Sequence, residues 1–245
     1  MPDDFDEISG VLDKLVEELL AKCGIDRPPI EPKKIADALG LVYDETELEG
    51  RRGQSYRRYG RQHVEIHRKD RPERKNFALA HEIMELELKK VLDDPRESHR
   101  WANLGASFLL MPTPWFRDQC IQTGFDLAKL KKVFTTASWE VIALRTLNFS
   151  ESIITIVDDD RVTRRKSSYP FYVSKRLSDE EKHVVLDVLQ TKKVQRQHFP
   201  SCEVTGYPVF EKGHKRVILR TTLDETGYVR DSSETPEGQV RSNGE

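Results

Sequence analysis

Long apolar runs are missing from this 245-residue chain, and none approaches the roughly 20 residues a membrane helix needs. The first ten residues, MPDDFDEISG, are acidic and have no apolar core of a signal peptide, so no secretory leader is expected. Cysteine is scarce: Cys23, Cys120 and Cys202 are odd in number, far apart and without C-x-x-C spacing. That pattern argues against a disulfide framework or a cysteine zinc site, and for a reducing cytoplasm. An excess of charge of either sign is missing too. With 40 basic and 42 acidic residues the formal net charge is −2, which gives no general attraction to nucleic acid or to acidic lipid. Local basic runs (Arg51–Arg52, Arg57–Arg58–Arg61, Arg161–Lys166) have acids nearby and read first as a soluble surface. No P-loop, G-x-S-x-G elbow or glycine-rich dinucleotide fingerprint is present.

What is present is helical periodicity, and then a change of character. Phe5, Ile8, Leu12, Leu15, Val16, Leu19 and Leu20 recur at helical spacing until Gly24. Pro28, Pro29 and Pro32 open a second, short helix faced by Ile35, Ala38 and Leu39. Leu41–Tyr43, Gln54–Tyr59 and His63–His67 read as short strands, the last two joined at Gly60-Arg61. Helices are expected over Asn76–Leu88, with a core face of Phe77, Ala80, Met84, Leu88 and Val91, and over Glu97–Met111, Trp115–Gln122, Leu127–Val133 and Ser138–Leu147. After Phe149 strands are expected at Ile153–Val157, Arg161–Arg165 and Val217–Thr221, with a helix at Asp179–Gln190. The expected organisation is α+β: residues 1–150 as one domain with a helical layer, 151–224 as a small α+β domain, and 225–245 as a disordered tail.

The most informative stretch is NFALAHEIMELEL, Asn76–Leu88. On one helix His81 and Glu85, four apart, share a face and can both point at one ion. Glu82 is turned about 100° away, within reach of a metal-bound water and not of the metal. The pattern is one residue short of the zinc-protease helix H-E-x-x-H, with Glu85 where the second histidine stands. Catalytic zinc usually has three protein ligands, so a third is sought on the following helix. There His99 and Asn103 share a stripe with Ala106 and Leu110, which predicts that this face looks inward. Alone, a histidine on such a face reads as a core residue, and Glu85 reads as an ordinary surface partner of a lysine or arginine. Glu97 lies about 200° around from His99 and is a competing ligand only in its place. Tyr56 and Tyr59, on strands expected near the cleft, are candidates to stabilise an oxyanion. His63 and His67, on one face of a strand, are about 13 Å apart and too distant to share an ion.

The run RKNFALAHEIMELEL followed by WANLGASFLLMP resembles the ImmA/IrrE metallopeptidase family (domain of unknown function 955). The earlier PPIEPKKIADALGLVY is similar to that family's opening, and the resemblance covers roughly residues 28–147. It implies a zincin-like fold and a zinc-dependent endopeptidase. The first zinc ligand of the family falls on His81 and its water-activating glutamate on Glu82. The second histidine falls on Glu85 and the later glutamate ligand on His99. The two departures are complementary, so the set remains two imidazoles and one carboxylate, acceptable to Zn2+ and also to Mn2+. Asn103 matches the family's Asn/Asp and would orient a ligand.

By resemblance the expected partner is a protein substrate, a helix-turn-helix transcriptional repressor whose cleavage switches on stress-response or mobile-element genes. Neither direct nucleic-acid binding nor a membrane is expected. The alternative is a catalytically inactive protease-like regulator that binds a partner without cutting it. A DNA-binding reading of the helices at 115–147 is disfavoured, because Ser138–Leu147 carries Arg145 as its only basic residue together with Glu140. The C-terminal domain is expected to recognise a partner or to gate the protease.

Overall fold

The computed structural model describes residues 2–211 and 214–224. The chain forms two compact units, the first ending at Arg145 and the second beginning at Thr146. Helices and strands are mixed with two separate sheets, which makes this an α+β protein. The stretch 225–245, expected to be a disordered tail, lies outside the described residues.

In the first unit α1 (Pro2–Cys23) buries Ile8, Leu12, Leu15, Val16, Leu19 and Leu20 along one face. Gly24, at φ 65°, ends the run in the left-handed conformation that glycine adopts without a Cβ clash. The helix α2 (Pro32–Ala38) starts on Pro32, whose missing N–H costs nothing in a first turn. Three strands follow: β1 (Val42–Thr46), β2 (Gly53–Arg58) and β3 (Arg61–His67). Their order is β1-β3-β2, with β1 parallel and β2 antiparallel to β3, so β1 and β2 are both edges. The β2–β3 loop is Tyr59-Gly60, one residue earlier than the sequence suggested. Both residues have positive φ (49° and 77°), the condition of a tight two-residue hairpin turn that follows the twist of its strands. Val64 and Ile66 are fully buried and mark the inner face of this sheet.

Against that face lies α3 (Pro72–Leu88), followed by α4 (Pro95–Leu110), α5 (Thr113–Thr123), α6 (Leu127–Val133) and α7 (Trp139–Thr146). The buried stripe of α3 contains Ala80, Met84 and Leu88 as expected, but Val91 lies past the helix end and is half exposed. The closeness of α3 and α4 depends on Gly105. A Cβ there would sit 3.0 Å from Met84 Cβ and 3.2 Å from Leu12 Cδ2. Among the described residues no helix is long and apolar enough to cross a membrane.

The second unit has β4 (Ile153–Asp158), β5 (Arg161–Ser167), α8 (Asp179–Thr191), β6 (Gln195–Phe199), β7 (Cys202–Glu211) and β8 (His214–Leu223). The strands form an antiparallel sheet in the order β5-β4-β8-β7-β6. The sequence did not suggest β6 or β7. β6 is mostly polar, and β7 carries Gly206 and Pro208, which read as breakers. Each has a structural use. Pro208 lies beyond the stretch of β7 that pairs with β6, so its lost donor interrupts no ladder on that side. Gly206 lets α8 approach the sheet: a Cβ there would lie 2.7 Å from Val188 Cγ2.

Candidate metal centre

Helix α3 crosses the inner face of the three-stranded sheet. Near its start Lys75 pairs with Glu45 of β1 at 2.5 Å, and two turns later Glu82 reaches β2. Helix α4 packs alongside this part of α3. There His81, Glu85 and His99 converge, each offering one donor atom within 4.8 Å of the others. Glu85 Oε2 lies 2.9 Å from His99 Nδ1 and 3.5 Å from His81 Nε2. The His81 and His99 rings meet edge to face at 5.5 Å.

Each of these groups is held by a neighbour. Asn103 Oδ1, one turn along α4 from His99, is 3.1 Å from His81 Nδ1, which turns Nε2 toward Glu85. Lys89 donates to Glu85 Oε1 at 2.6 Å, leaving Oε2 to the two imidazoles. Burial pushes the Glu85 carboxyl up, but hydrogen bonds from His99 and Lys89 outweigh it and hold the group below the ordinary carboxylate value. Burial lowers the His81 imidazole, favouring the neutral ring that can donate a lone pair.

Glu82 occupies a different environment. It is 7% exposed, and burial raises its carboxyl above the usual range, opposed in part by a hydrogen bond from Ser55. Gly53 makes room for it, since a Cβ at that position would meet Glu82 Oε1 and Ile66 Cδ1 at 3.0 Å.

The donor chemistry and spacing suit zinc. In a tetrahedral zinc site with bonds of about 2.0–2.2 Å, neighbouring ligand atoms are about 3.4 Å apart. The two separations from Glu85 Oε2, 2.9 and 3.5 Å, lie within about half an ångström of that, and all three donor atoms fall within 4.8 Å of one another. Three protein ligands would leave a fourth position for water.

Some expectations need correction. His99 and Asn103 do not face the interior: both are exposed, while Ala106 and Leu110 on the same stripe are fully buried. The stripe runs out of the core toward its N-terminal end, which leaves His99 open to solvent. Tyr56 and Tyr59 do not reach the cluster. Ser55 pairs with Val64 and shares the inner face, so Tyr56 points the other way. There it stacks on His63 and donates to Glu65 at 2.8 Å. Tyr59 is 89% exposed at the hairpin turn, under the Arg58 guanidinium. Glu97 is engaged by Trp101 Nε1 at 2.9 Å and by Arg100, both on its own helix. Two residues at the site escaped sequence reading, Ser55 and Gly53, whereas the Lys89–Glu85 pair is the lysine contact that the surface reading of Glu85 allowed for. Lys89 lies four residues after Glu85 on one helix, the spacing at which such pairs form.

Residues 38–146 match the family model Peptidase M78, described as the IrrE N-terminal-like domain. No curated protein matches the chain. Among solved structures, a Mycobacterium tuberculosis transcriptional regulator is similar with a TM-score of 0.66 and 16% identity, over 86% of this chain and 75% of that one. At that identity the likeness is one of fold. The stretch that carries His81, Glu82, Glu85, His99 and Asn103 belongs to the Peptidase M78 family of IrrE N-terminal-like domains.

Proposed function

We propose that this chain is a zinc-dependent endopeptidase with a zincin-like catalytic domain. The observation that carries this reading is the convergence of two imidazoles and a carboxylate beside a buried second carboxylate. His81, Glu85 and His99 would hold the ion. When bound, it would supply Lewis acidity, lowering the pKa of a coordinated water and polarising a peptide carbonyl. Glu82, its carboxyl raised by burial, is suited to take a proton from that water and return it to the leaving amine. Asn103 and Lys89 fix the orientation of His81 and Glu85.

The proposed substrate is a helix-turn-helix repressor. The family resemblance supports it, and the solved relative named as a transcriptional regulator agrees with a role in gene control. The second unit is assigned to partner recognition or gating. If its removal changed neither cleavage nor substrate affinity, that assignment would be withdrawn.

One observation favours a second reading, a regulator that binds its partner without cutting. Glu85 is already matched by Lys89 and His99, an arrangement that needs no ion. DNA binding through α7 has less support, because Arg145 is 3% exposed with its guanidinium over the Phe108 ring.

Elemental mass spectrometry on untagged protein separates the two readings. About one zinc per chain, lost in His81→Ala, Glu85→Ala and His99→Ala, is the outcome expected for the peptidase. Protein that takes up no metal when zinc is supplied retires the peptidase in favour of the regulator.

A further inference from the structure

The two edges of the three-stranded sheet carry opposite charge. On the β1 side Glu45 is met by Lys75 and Glu47 by Lys69. On the β2 side Arg57, Arg58 and Arg61 are exposed, and among the described residues none forms an ion pair. Arg58 lies directly opposite Arg61 in the ladder, a like-charge pair that weakens a hairpin unless something else uses it. Among the described residues the outer edge of β2 has no strand neighbour, so a row of backbone donors and acceptors is open there. Arg57 shares the inner face with Ser55, the partner of Glu82, and is two residues, or about 7 Å, further along.

We infer that the β2 edge takes up an extended peptide segment carrying carboxylate side chains, which Arg57, Arg58 and Arg61 of the β2–β3 hairpin recognise. The inference rests on the peptidase reading, and it names the class of substrate sequence that site would accept. Backbone pairing supplies the register and the arginines the selectivity, since a guanidinium fork matches a carboxylate. Acidic residues of the substrate would lie toward the hairpin turn, to one side of the bond presented to Glu82.

The test is fluorescence anisotropy with the full chain carrying Glu82→Gln, so that binding is read without cleavage. The probe is a short fluorescein-labelled peptide of alternating Glu and Val. A Lys–Val peptide, an alternately N-methylated Glu–Val peptide and a short single-stranded DNA serve as comparisons. The Glu–Val peptide is expected to bind with an affinity that falls as salt rises, and the Lys–Val and N-methylated peptides are expected not to bind. Arg57→Gln/Arg58→Gln/Arg61→Gln should weaken binding about tenfold, three exposed charge contacts being removed. Circular dichroism checks the fold of that variant, and the salt titration of the unsubstituted hairpin tests the same charges without mutation. Equal binding of the Glu and Lys peptides overturns the proposal. So do undiminished binding by a folded triple variant, binding that survives N-methylation, DNA binding at least as tight, and self-association that excludes the peptide. Zinc-loaded wild type that cleaves peptides without regard to charge would sink this inference and leave the peptidase standing. Selective binding with no cleavage by that protein would do the reverse.

Discussion

His81 Nδ1 and Asn103 Oδ1 lie 3.1 Å apart, and this contact between α3 and α4 decides which imidazole nitrogen faces Glu85. Asn103→Ala frees the ring to rotate while leaving all three donors in place. The expected result is a zinc affinity about 10–100-fold weaker at unchanged stoichiometry, read by competition with a chromogenic chelator. Lys89→Met should act in the same direction through Glu85, with Lys89→Arg restoring the contact. Unchanged affinity in both Asn103→Ala and Lys89→Met would mean that these contacts are incidental to the metal.

The exchanged positions of Glu85 and His99 make a reciprocal prediction. The double variant Glu85→His/His99→Glu keeps two imidazoles and one carboxylate and should still hold about one zinc per chain. Glu85→Gln and His99→Ala each remove a ligand and should lose it. The measurement is metal content after dialysis. A double variant that binds no zinc would show that these helices do not tolerate the exchange.

Glu82→Gln separates chemistry from folding. Loss of the proton acceptor should lower kcat by about 10²–10⁴-fold, measured on a cleaved peptide, with zinc content unchanged. The same substitution removes a carboxylate that burial disfavours in its ionised form, so metal-free protein should melt at a higher temperature than wild type at neutral pH. A lower melting temperature would mean that the Ser55 hydrogen bond outweighs the cost of burial.

How far the sequence could be read depended on the range of the interactions involved. His81 and Glu85 were legible because helix geometry alone puts residues four apart on one face. The amphipathic α1 was legible for the same reason. The side of the sheet to which Tyr56 points was not, because alternation gives two faces without saying which one a helix covers. Val64 and Ile66 hold that information, but it passes to β2 only through the Ser55–Val64 register, a non-local fact. In the second unit Gly206 and Pro208 look like the end of a strand. They are tolerated because of what lies beside them: the side chains of α8 over the glycine, and no β6 partner at the proline.

Cys202, at the start of β7, is 7% exposed, and burial pushes its thiol up from 9.0 to about 11. In the unfolded chain the thiol ionises first, near 9.0, while the folded state still holds its proton. The stability this gives is therefore fully present below pH 9 and is lost as the pH rises toward 11. Relative to Cys202→Ala, wild type should lose stability over that window, seen as a falling difference in urea midpoints between pH 8 and pH 11. Alkylation of Cys202 by iodoacetamide at pH 8 should also be slow until urea unfolds the chain. Rapid alkylation of the native protein would contradict this.

Glu181, at the N-terminus of α8, is 1% exposed and joins three parts of the second unit. Its Oε1 accepts from Arg165 of β5 at 2.9 Å and from Thr221 of β8 at 2.8 Å, and its Oε2 accepts from the Ser178 backbone N–H at 3.0 Å in a capping box. Arg165, with a side chain 10% exposed, also donates to the Ser174 carbonyl oxygen. Glu181→Ala removes the charge but leaves a largely buried guanidinium without its counter-ion, at a cost of about 3–5 kcal/mol. Removing both partners in Glu181→Met/Arg165→Met should cost less than Glu181→Ala alone, because no orphaned charge remains. Urea unfolding of wild type and both variants, with matched m values, measures the comparison. If the double variant is the less stable one, the hydrogen bonds to Thr221 and Ser174 hold the unit together more than the ion pair does.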